Sequence, residues 1–333
     1  MLKRLCHPDY RILVTGSRGK SSVTRLLHAS LNSCGIKTFA RITGVVPREL
    51  GPKGCRTIIR TAGAHVEEMR WWLRQLPASA KGVVLENSAI APDLQLLAGK
   101  WLKPQVIILT NTYPDHQEVW GPTSSAARNT LLSGIPMGCR VVLPFESNSD
   151  SELKTALDSK RCHIVFSDPL SGKLPDHREV NINLALAAVK IMRLDTQKAL
   201  QSMFDLKPDR YDFRKTVHAD SEFALAFTAN DIKSTINLFT SLDWKKEETR
   251  LVFNHRSDRS GRILSFAEWI DSSDWRDVLI IGDKPGKSFR TARYLDVRSM
   301  GSFFRSFQPG DKIFGCGNFT GLPPEVMTGL YHQ

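Results

Sequence analysis

The stretch Leu13-Val14-Thr15-Gly16-Ser17-Arg18-Gly19-Lys20-Ser21-Ser22 decides how the rest of this chain is read. An apolar run ends in a glycine-punctuated turn, and Val23, Leu26 and Leu27 follow at helical spacing. A strand, a tight loop and a helix N-terminus therefore succeed one another. Gly16 and Gly19 free backbone N–H groups to turn toward an anion, and the helix start adds positive potential. Lys20 supplies a point charge for the β- and γ-phosphates of a nucleotide, Ser17, Arg18 and Ser22 belong to the same phosphate-binding set, and the Ser21 hydroxyl is the natural magnesium ligand. The widespread phosphate-loop spelling would need glycine at position 14, where Val14 stands. A Gly-Lys-Ser turn at a helix cap is the structural alternative.

Working outward, short Val- and Ile-rich runs alternate with helical patterns, which predicts an α/β fold with a largely parallel sheet. Residues 11–15, 37–41, 83–86, 106–110, 140–143 and 163–166 read as strands. Residues 181–192 and 196–203 read as helices. The polar, proline-containing segment 207–212 reads as a linker, after which strands resume at 223–227, 251–254, 278–282 and 313–315. The expected domains are a nucleotide-binding unit over 1–206 and a smaller α/β unit over 207–333.

Composition narrows the class. The chain has 333 residues, of which 41% are hydrophobic and 24% charged, so disorder, collagen and a disulfide scaffold are excluded. The 46 Lys and Arg against 34 Asp and Glu leave a net charge of +12, which suits an anionic partner without saying which. No recognition helix or aromatic RNA platform is spelled out, so nucleic acid is not the expected partner. The six cysteines contain no C-x-x-C pair, hence neither a zinc ribbon nor a redox motif. No apolar run reaches the roughly 18 residues of a spanning helix, and Pro8-Asp9 interrupts the place of a secretory core, so a cytosolic chain is expected.

Glu86 closes the apolar run Val83-Val84-Leu85, and Thr110-Asn111-Thr112-Tyr113-Pro114-Asp115-His116 follows another. In an open parallel sheet both strand ends lie at the ligand crevice, where a carboxylate and an imidazole can hold a divalent cation. Taken singly, Glu86 reads as a cap or surface carboxylate and His116 as a satisfied loop histidine; it is their combination that points to a metal.

The spelling Thr15-Gly16-x-x-Gly19-Lys20-Ser21 resembles the loop of the Mur ligase superfamily, whose members couple ATP hydrolysis to amide formation. The likeness extends through Ser21-Ser22-Val23-Thr24-Arg25-Leu26, Gly35-Ile36-Lys37-Thr38 and Thr43-Gly44, and is greatest with the poly-γ-glutamate synthase (CapB/PgsB) branch. Asp115-His116-Gln117-Glu118-Val119-Trp120-Gly121-Pro122-Thr123 is similar to that family's Asp-His-x-Asp-x-x-Gly-Pro-Thr segment, with Glu118 for the usual Asp. The resemblance implies that Glu86 and His116 are ligands of a second metal ion, so two Mg²⁺ are expected, with Mn²⁺ also suited. Many Mur ligases carry a carbamylated lysine beyond this histidine; residues 124–133 hold Arg128 and no lysine, so no carbamate is expected.

Asn181 matches the asparagine that looks onto adenine in this family. Asn183 competes for that role, and a helix N-cap is the structural alternative for either. Pro208-Asp209-Arg210-Tyr211-Asp212-Phe213-Arg214 resembles the inter-domain linker of the family, which implies that Arg214 reaches the ATP phosphates after domain closure. Phe227-Thr228-Ala229-Asn230-Asp231, with Asn230 and Asp231 as cofactor-binding candidates, and Asn254-His255-Arg256-Ser257-Asp258-Arg259 are similar to segments of the same branch. So are Ile280-Ile281-Gly282 and Gly315-Cys316-Gly317-Asn318. The resemblance runs from about residue 11 to 325. It departs in having no membrane-anchoring helix and in a shorter stretch over 48–66.

What the resemblance implies is a Mur-type ATPase domain followed by a Rossmann-like domain, acting as an ATP-dependent, ADP-forming ligase of a carboxylate and an amino acid. Glutamate is the expected amino acid and the acceptor is expected to be anionic. A folylpolyglutamate-type ligase with another acceptor, or a nucleotide-binding regulator, is the alternative. A membrane subunit as partner, peripheral attachment through it, and self-association are left open.

Overall fold

A computed structural model of the chain describes residues 8–331 apart from 45, 61–62, 170–176, 230, 273, 287–288 and the side chain of Ser260. The chain divides into two compact units, Met1–Leu206 and Lys207–Gln333.

In the first unit the elements run β1 (Tyr10–Thr15), α1 (Lys20–Ser33), β2 (Thr38–Ile42), β3 (Arg48–Gly51), β4 (Gly54–Thr57), α2 (Glu68–Gln75), β5 (Gly82–Glu86), α3 (Gln95–Leu102) and β6 (Val106–Leu109). They continue with α4 (Gln117–Trp120), α5 (Ser124–Ser133), β7 (Arg140–Leu143), α6 (Ser151–Ser159), β8 (His163–Phe166), α7 (His177–Ile191) and α8 (Thr196–Phe204). The sheet order is β4-β3-β2-β5-β1-β6-β7-β8. Strands β2, β5, β1, β6, β7 and β8 are parallel, while β3 and β4 add an antiparallel hairpin beside β2.

The parallel strands are apolar on both faces because helices cover both. Leu13, Leu85, Ile107 and Val141 pack with Trp72, Trp101 and Leu131 on one side. Ile12, Val14, Val84 and Ile108 pack with Val23, Leu27, Leu184 and Ala188 on the other. Strand order diverges on either side of β1, so the C-terminal ends of β5, β1 and β6 frame the crevice where an open sheet binds ligands.

The second unit carries β9 (Lys215–His218), β10 (Ser221–Leu225), α9 (Ile232–Thr240), β11 (Thr249–His255), α10 (Ser260–Ser265), α11 (Ala267–Ile270), β12 (Asp277–Gly282), β13 (Ala292–Tyr294), α12 (Met300–Phe304), β14 (Lys312–Gly317) and α13 (Pro323–Tyr331). Its sheet order is β13-β12-β11-β14-β10-β9, parallel except for β9. Phe253, Phe266 and Phe314 fill one face and Phe223, Phe227 and Phe303 the other.

The α/β class with largely parallel sheets agrees with the sequence expectation. Strands β3, β4, β9 and β13 do not appear in it. They are short and lie at or near sheet edges, and every residue of β4 is exposed, so neither alternation nor an apolar run marks them.

Candidate active site

The loop between β1 and α1 is held in a conformation that its glycines permit. Gly16 sits at φ +125° and Gly19 at φ +81°, both outside the range comfortable for other residues. A Cβ on Gly16 would collide with Thr110 Oγ1 and come within 3.0 Å of Asn111 O, and one on Gly19 would lie 2.7 Å from Asn181 Oδ1.

The chain leaving β6 fastens this loop. Ser17 N donates to Asn111 O at 3.2 Å, and Arg18 N donates to Asn111 Oδ1 at 3.0 Å. Asn111 Nδ2 and Thr110 Oγ1 both donate to Arg18 O, at 3.1 and 2.5 Å. Ser17 Oγ donates to Tyr113 O at 2.6 Å. Thr110 and Asn111 were not among the sequence candidates; their one signal is that they end a strand at the same crevice.

Lys20 folds back on the loop, its Nζ donating to Gly16 O at 2.6 Å and Ser17 O at 3.2 Å. Burial pushes its pKa down, against the pull of Glu86 and Asp115, while Arg18 adds to the lowering. Glu86, only 2% exposed, accepts from Ser21 Oγ at 2.8 Å, from Thr43 N at 3.2 Å and from Thr43 Oγ1 at 3.0 Å. Gly44 completes the enclosure, since a Cβ there would sit 2.6 Å from Ser21 Oγ.

Arg18 Nη2 pairs with Asp115 Oδ1 at 3.0 Å. Burial works against the Asp115 charge, but Arg18, His116 and Lys20 outweigh it and hold the carboxyl below its ordinary range. His116 precedes α4 at φ +44°, with Nε2 3.7 Å from Asp115 Oδ2 and Nδ1 3.8 Å from Glu118 Oε1. Its ring centroid is 5.3 Å from that of Trp120. Lys20, Ser21, Glu86 and Arg18 thus form one polar group, which His116 joins through Asp115.

The donor chemistry fits a hard divalent cation. The Ser21 and Thr43 hydroxyls and the Glu86 carboxylate are all oxygen ligands. No three His, Cys, Asp or Glu side chains gather into a metal group among the described residues, so a cation here needs further oxygens from phosphate and water, as magnesium sites commonly do.

Comparison with known proteins joins this geometry to a lineage. Residues 14–205 match the Mur ligase middle domain, more than half of the chain. This chain belongs to the Mur ligase family. Residues 211–333 match the poly-gamma-glutamate synthase CapB C-terminal domain. The capsule biosynthesis protein CapB of Bacillus anthracis is 24% identical, with 99% of this chain and 78% of that protein covered. The PGA synthase CapB of Bacillus subtilis (strain 168) is also 24% identical, with 96% and 90% covered. A bifunctional folylpolyglutamate synthase/dihydrofolate synthase solved with Mn, AMPPNP and L-glutamate shares the fold at a TM-score of 0.69 and 15% identity, covering 98% of this chain and 90% of its own.

Other residues expected from the Mur ligase resemblance are placed as follows. Asn181 lies inside α7, which is already helical at His177, so the N-cap alternative for Asn181 and Asn183 is excluded; Asn183 is buried, and Asn181 packs against Gly19. Ser22 lies in the first turn of α1. Arg128 on α5 pairs with Asp150 at 3.3 Å and with Glu152.

In the second unit, Arg214 holds its guanidinium 4.0 Å over the Tyr331 ring and donates from Nη2 to Arg210 O at 3.2 Å. Asp231 caps α9, accepting from Ser234 N at 2.8 Å. Asn230 lies outside the described residues. Asn254 and Asn318 lock the ends of β11 and β14 together: Asn254 Nδ2 donates to Asn318 O at 2.5 Å, and Asn318 Nδ2 donates to Asn254 O at 3.0 Å. Arg256 beside them grips Asp258 through Nε at 2.9 Å and Nη2 at 2.5 Å. No helix among the described residues is long and apolar enough to cross a membrane.

Proposed function

We propose that this Mur ligase uses ATP to activate a carboxylate and joins it to the amine of an amino acid, with glutamate as that amino acid. The observation that carries the reading is the Ser21–Glu86–Thr43 oxygen cluster beside the half-buried Lys20 at the end of the phosphate loop. The names of the Bacillus relatives, a capsule biosynthesis protein and a PGA synthase, support glutamate.

In this reaction a carboxylate oxygen attacks the γ-phosphorus, the bond to the β–γ bridging oxygen breaks, and ADP leaves with an acyl phosphate remaining. The amine nitrogen then attacks the acyl carbon, the bond to the phosphate oxygen breaks, and the nitrogen gives up a proton. Phosphoryl transfer of this kind is governed by positioning and electrostatics, so no protein nucleophile is needed. The N–H groups of residues 16–22 cradle phosphate, and Lys20 moves its ammonium from the loop carbonyls onto phosphate oxygens. Ser21 would hold one divalent cation, Glu86 and His116 would hold a second, Asn181 would face the base, and Arg214, Asn230 and Asp231 would contact the nucleotide. A bound Mg²⁺ or Mn²⁺ screens charge on the phosphates. An anionic acceptor accords with the chain's net charge of +12.

The test is purified protein with ATP, Mg²⁺ and a panel of amino acids, following phosphate release and reading products by mass spectrometry. Release that depends on glutamate, with an amide product, is the expected result. Hydrolysis indifferent to every amino acid and stimulated by nucleic acid would overturn the reading in favour of a nucleotide-binding regulator.

A further inference from the structure

Strand β2 carries, one residue before its end, a charge that the phosphate loop does not use. Arg41 is 1% exposed and is among the largest fully buried side chains of the protein. Its Nη2 donates to Glu68 Oε2 at 2.5 Å. Arg60 donates to the same oxygen, through Nε at 3.1 Å and Nη2 at 2.8 Å, while Glu68 Oε1 accepts from His65 N at 3.1 Å. One carboxylate therefore serves two guanidiniums, and the cluster keeps a positive charge in excess.

Arg41 Nη1 is buried with no hydrogen-bond partner among the described residues. A buried guanidinium N–H without an acceptor is expensive, and an anion that shares it removes the cost. The guanidinium fork matches a carboxylate in shape as well as charge. Arg60, 24% exposed, connects the cluster to solvent.

Position ties the cluster to the candidate active site. The register of β2 and β5 pairs Arg41 with Leu85, the residue before Glu86. Thr43, just beyond Arg41 on the same strand exit, bonds Glu86 through both its amide and its hydroxyl. The Glu86 charge acts attractively on Arg41, second among carboxylates to Glu68.

We propose that Arg41 and Arg60 form a carboxylate-binding subsite that holds the non-reacting carboxylate of a dicarboxylate-ended acceptor, leaving its other carboxylate to be activated at the phosphate loop. Activation of the other carboxylate rests on the ligase reading. The subsite itself is a binding property that can be measured without turnover.

The probes are glutarate, with two carboxylates, and butyrate, with one, titrated calorimetrically into the full chain in the presence of Mg²⁺ and a non-hydrolysable ATP analogue. The unsubstituted protein binds glutarate more tightly than butyrate. Arg60→Met, which alters a partly exposed side chain, weakens glutarate by roughly tenfold or more, the loss of one charge-assisted hydrogen bond, and leaves butyrate and the nucleotide analogue unchanged. Arg41→Met loses the glutarate preference and Arg41→Lys restores part of it. A merely structural Arg–Glu–Arg cluster would lower the unfolding midpoint without changing the glutarate-to-butyrate ratio, and that result, or no preference in the unsubstituted protein, overturns the subsite. Absent nucleotide binding with an intact glutarate preference would instead overturn the ligase reading alone.

Discussion

Ser21 Oγ donates to Glu86 Oε2 at 2.8 Å across 65 residues of chain. That one bond makes the first turn of α1 and the last residue of β5 a single polar unit, because β5 lies beside β1 with Val14 opposite Glu86. The carboxylate is buried and accepts three protein hydrogen bonds at the point where a cation and phosphate would meet it.

Substituting this pair tests the site directly. Glu86→Gln keeps the size and removes the charge, and ADP release is expected to fall by roughly 10²-fold or more, the scale of losing an electrostatic stabiliser. Ser21→Ala should fall less, since Thr43 still bonds the carboxylate. Steady-state kinetics with varied Mg²⁺ measure both; an unchanged rate in Glu86→Gln would remove Glu86 from the metal-binding role.

The loop glycines differ in what surrounds them, and their stabilities should differ accordingly. Gly16→Ala combines an unfavourable φ with a collision against the Thr110 hydroxyl, whereas Gly35, at φ +80°, has open space around its Cβ position. Urea denaturation should show Gly35→Ala losing about 1 kcal/mol and Gly16→Ala losing more, up to roughly 3 kcal/mol.

His28 predicts an acid sensitivity near neutral pH. Burial lowers its pKa from 6.5 to about 4, with backbone groups of Thr38 and Gly51 opposing weakly. The unfolded chain therefore binds a proton that the folded chain refuses, so this contribution to stability is fully present above the unfolded pKa of 6.5 and is lost as pH falls toward about 4. Thermal unfolding between those limits should show His28→Gln with a flatter pH profile than the unsubstituted protein. An identical slope in the two would refute the assignment.

The cysteines should sort by environment when alkylated. Burial, and then the neighbouring Cys162 thiol at 3.6 Å, push Cys139 up to about 12, and complete burial raises Cys316 well above its usual value. Since the thiolate is the reactive form, iodoacetamide at neutral pH should, among the described cysteines, modify exposed Cys55 first and reach Cys139 and Cys316 only on unfolding. Peptide mass mapping over time reads the order.

The parts of the fold that could be read in advance were those with strong local patterns. The apolar runs of β1, β5 and β6 announce strands because both faces are covered, and Gly16-x-x-Gly19-Lys20 announces a loop because few other residues accept its backbone angles. The β3–β4 hairpin carried no such pattern, being half-buried at best. Asn181 illustrates a boundary error: the helix extends back to His177, through residues whose polar character conceals it.

By itself the amino-acid order determined the sheet-forming segments, the phosphate loop and the likeness that led to the Mur ligase family, since each depends on neighbours a few positions apart. Only the tertiary structure decided that Asn111 fastens that loop, that Arg41 and Arg60 share the half-buried Glu68 carboxylate, and that Cys139 meets Cys162. Those contacts follow from strand register: His163 N donates to Cys139 O at 2.9 Å only because β7 and β8 start side by side, and Arg41 approaches Glu86 only because β2 pairs with β5. Register is set by how whole strands and their covering helices pack, a property that no short window of residues contains.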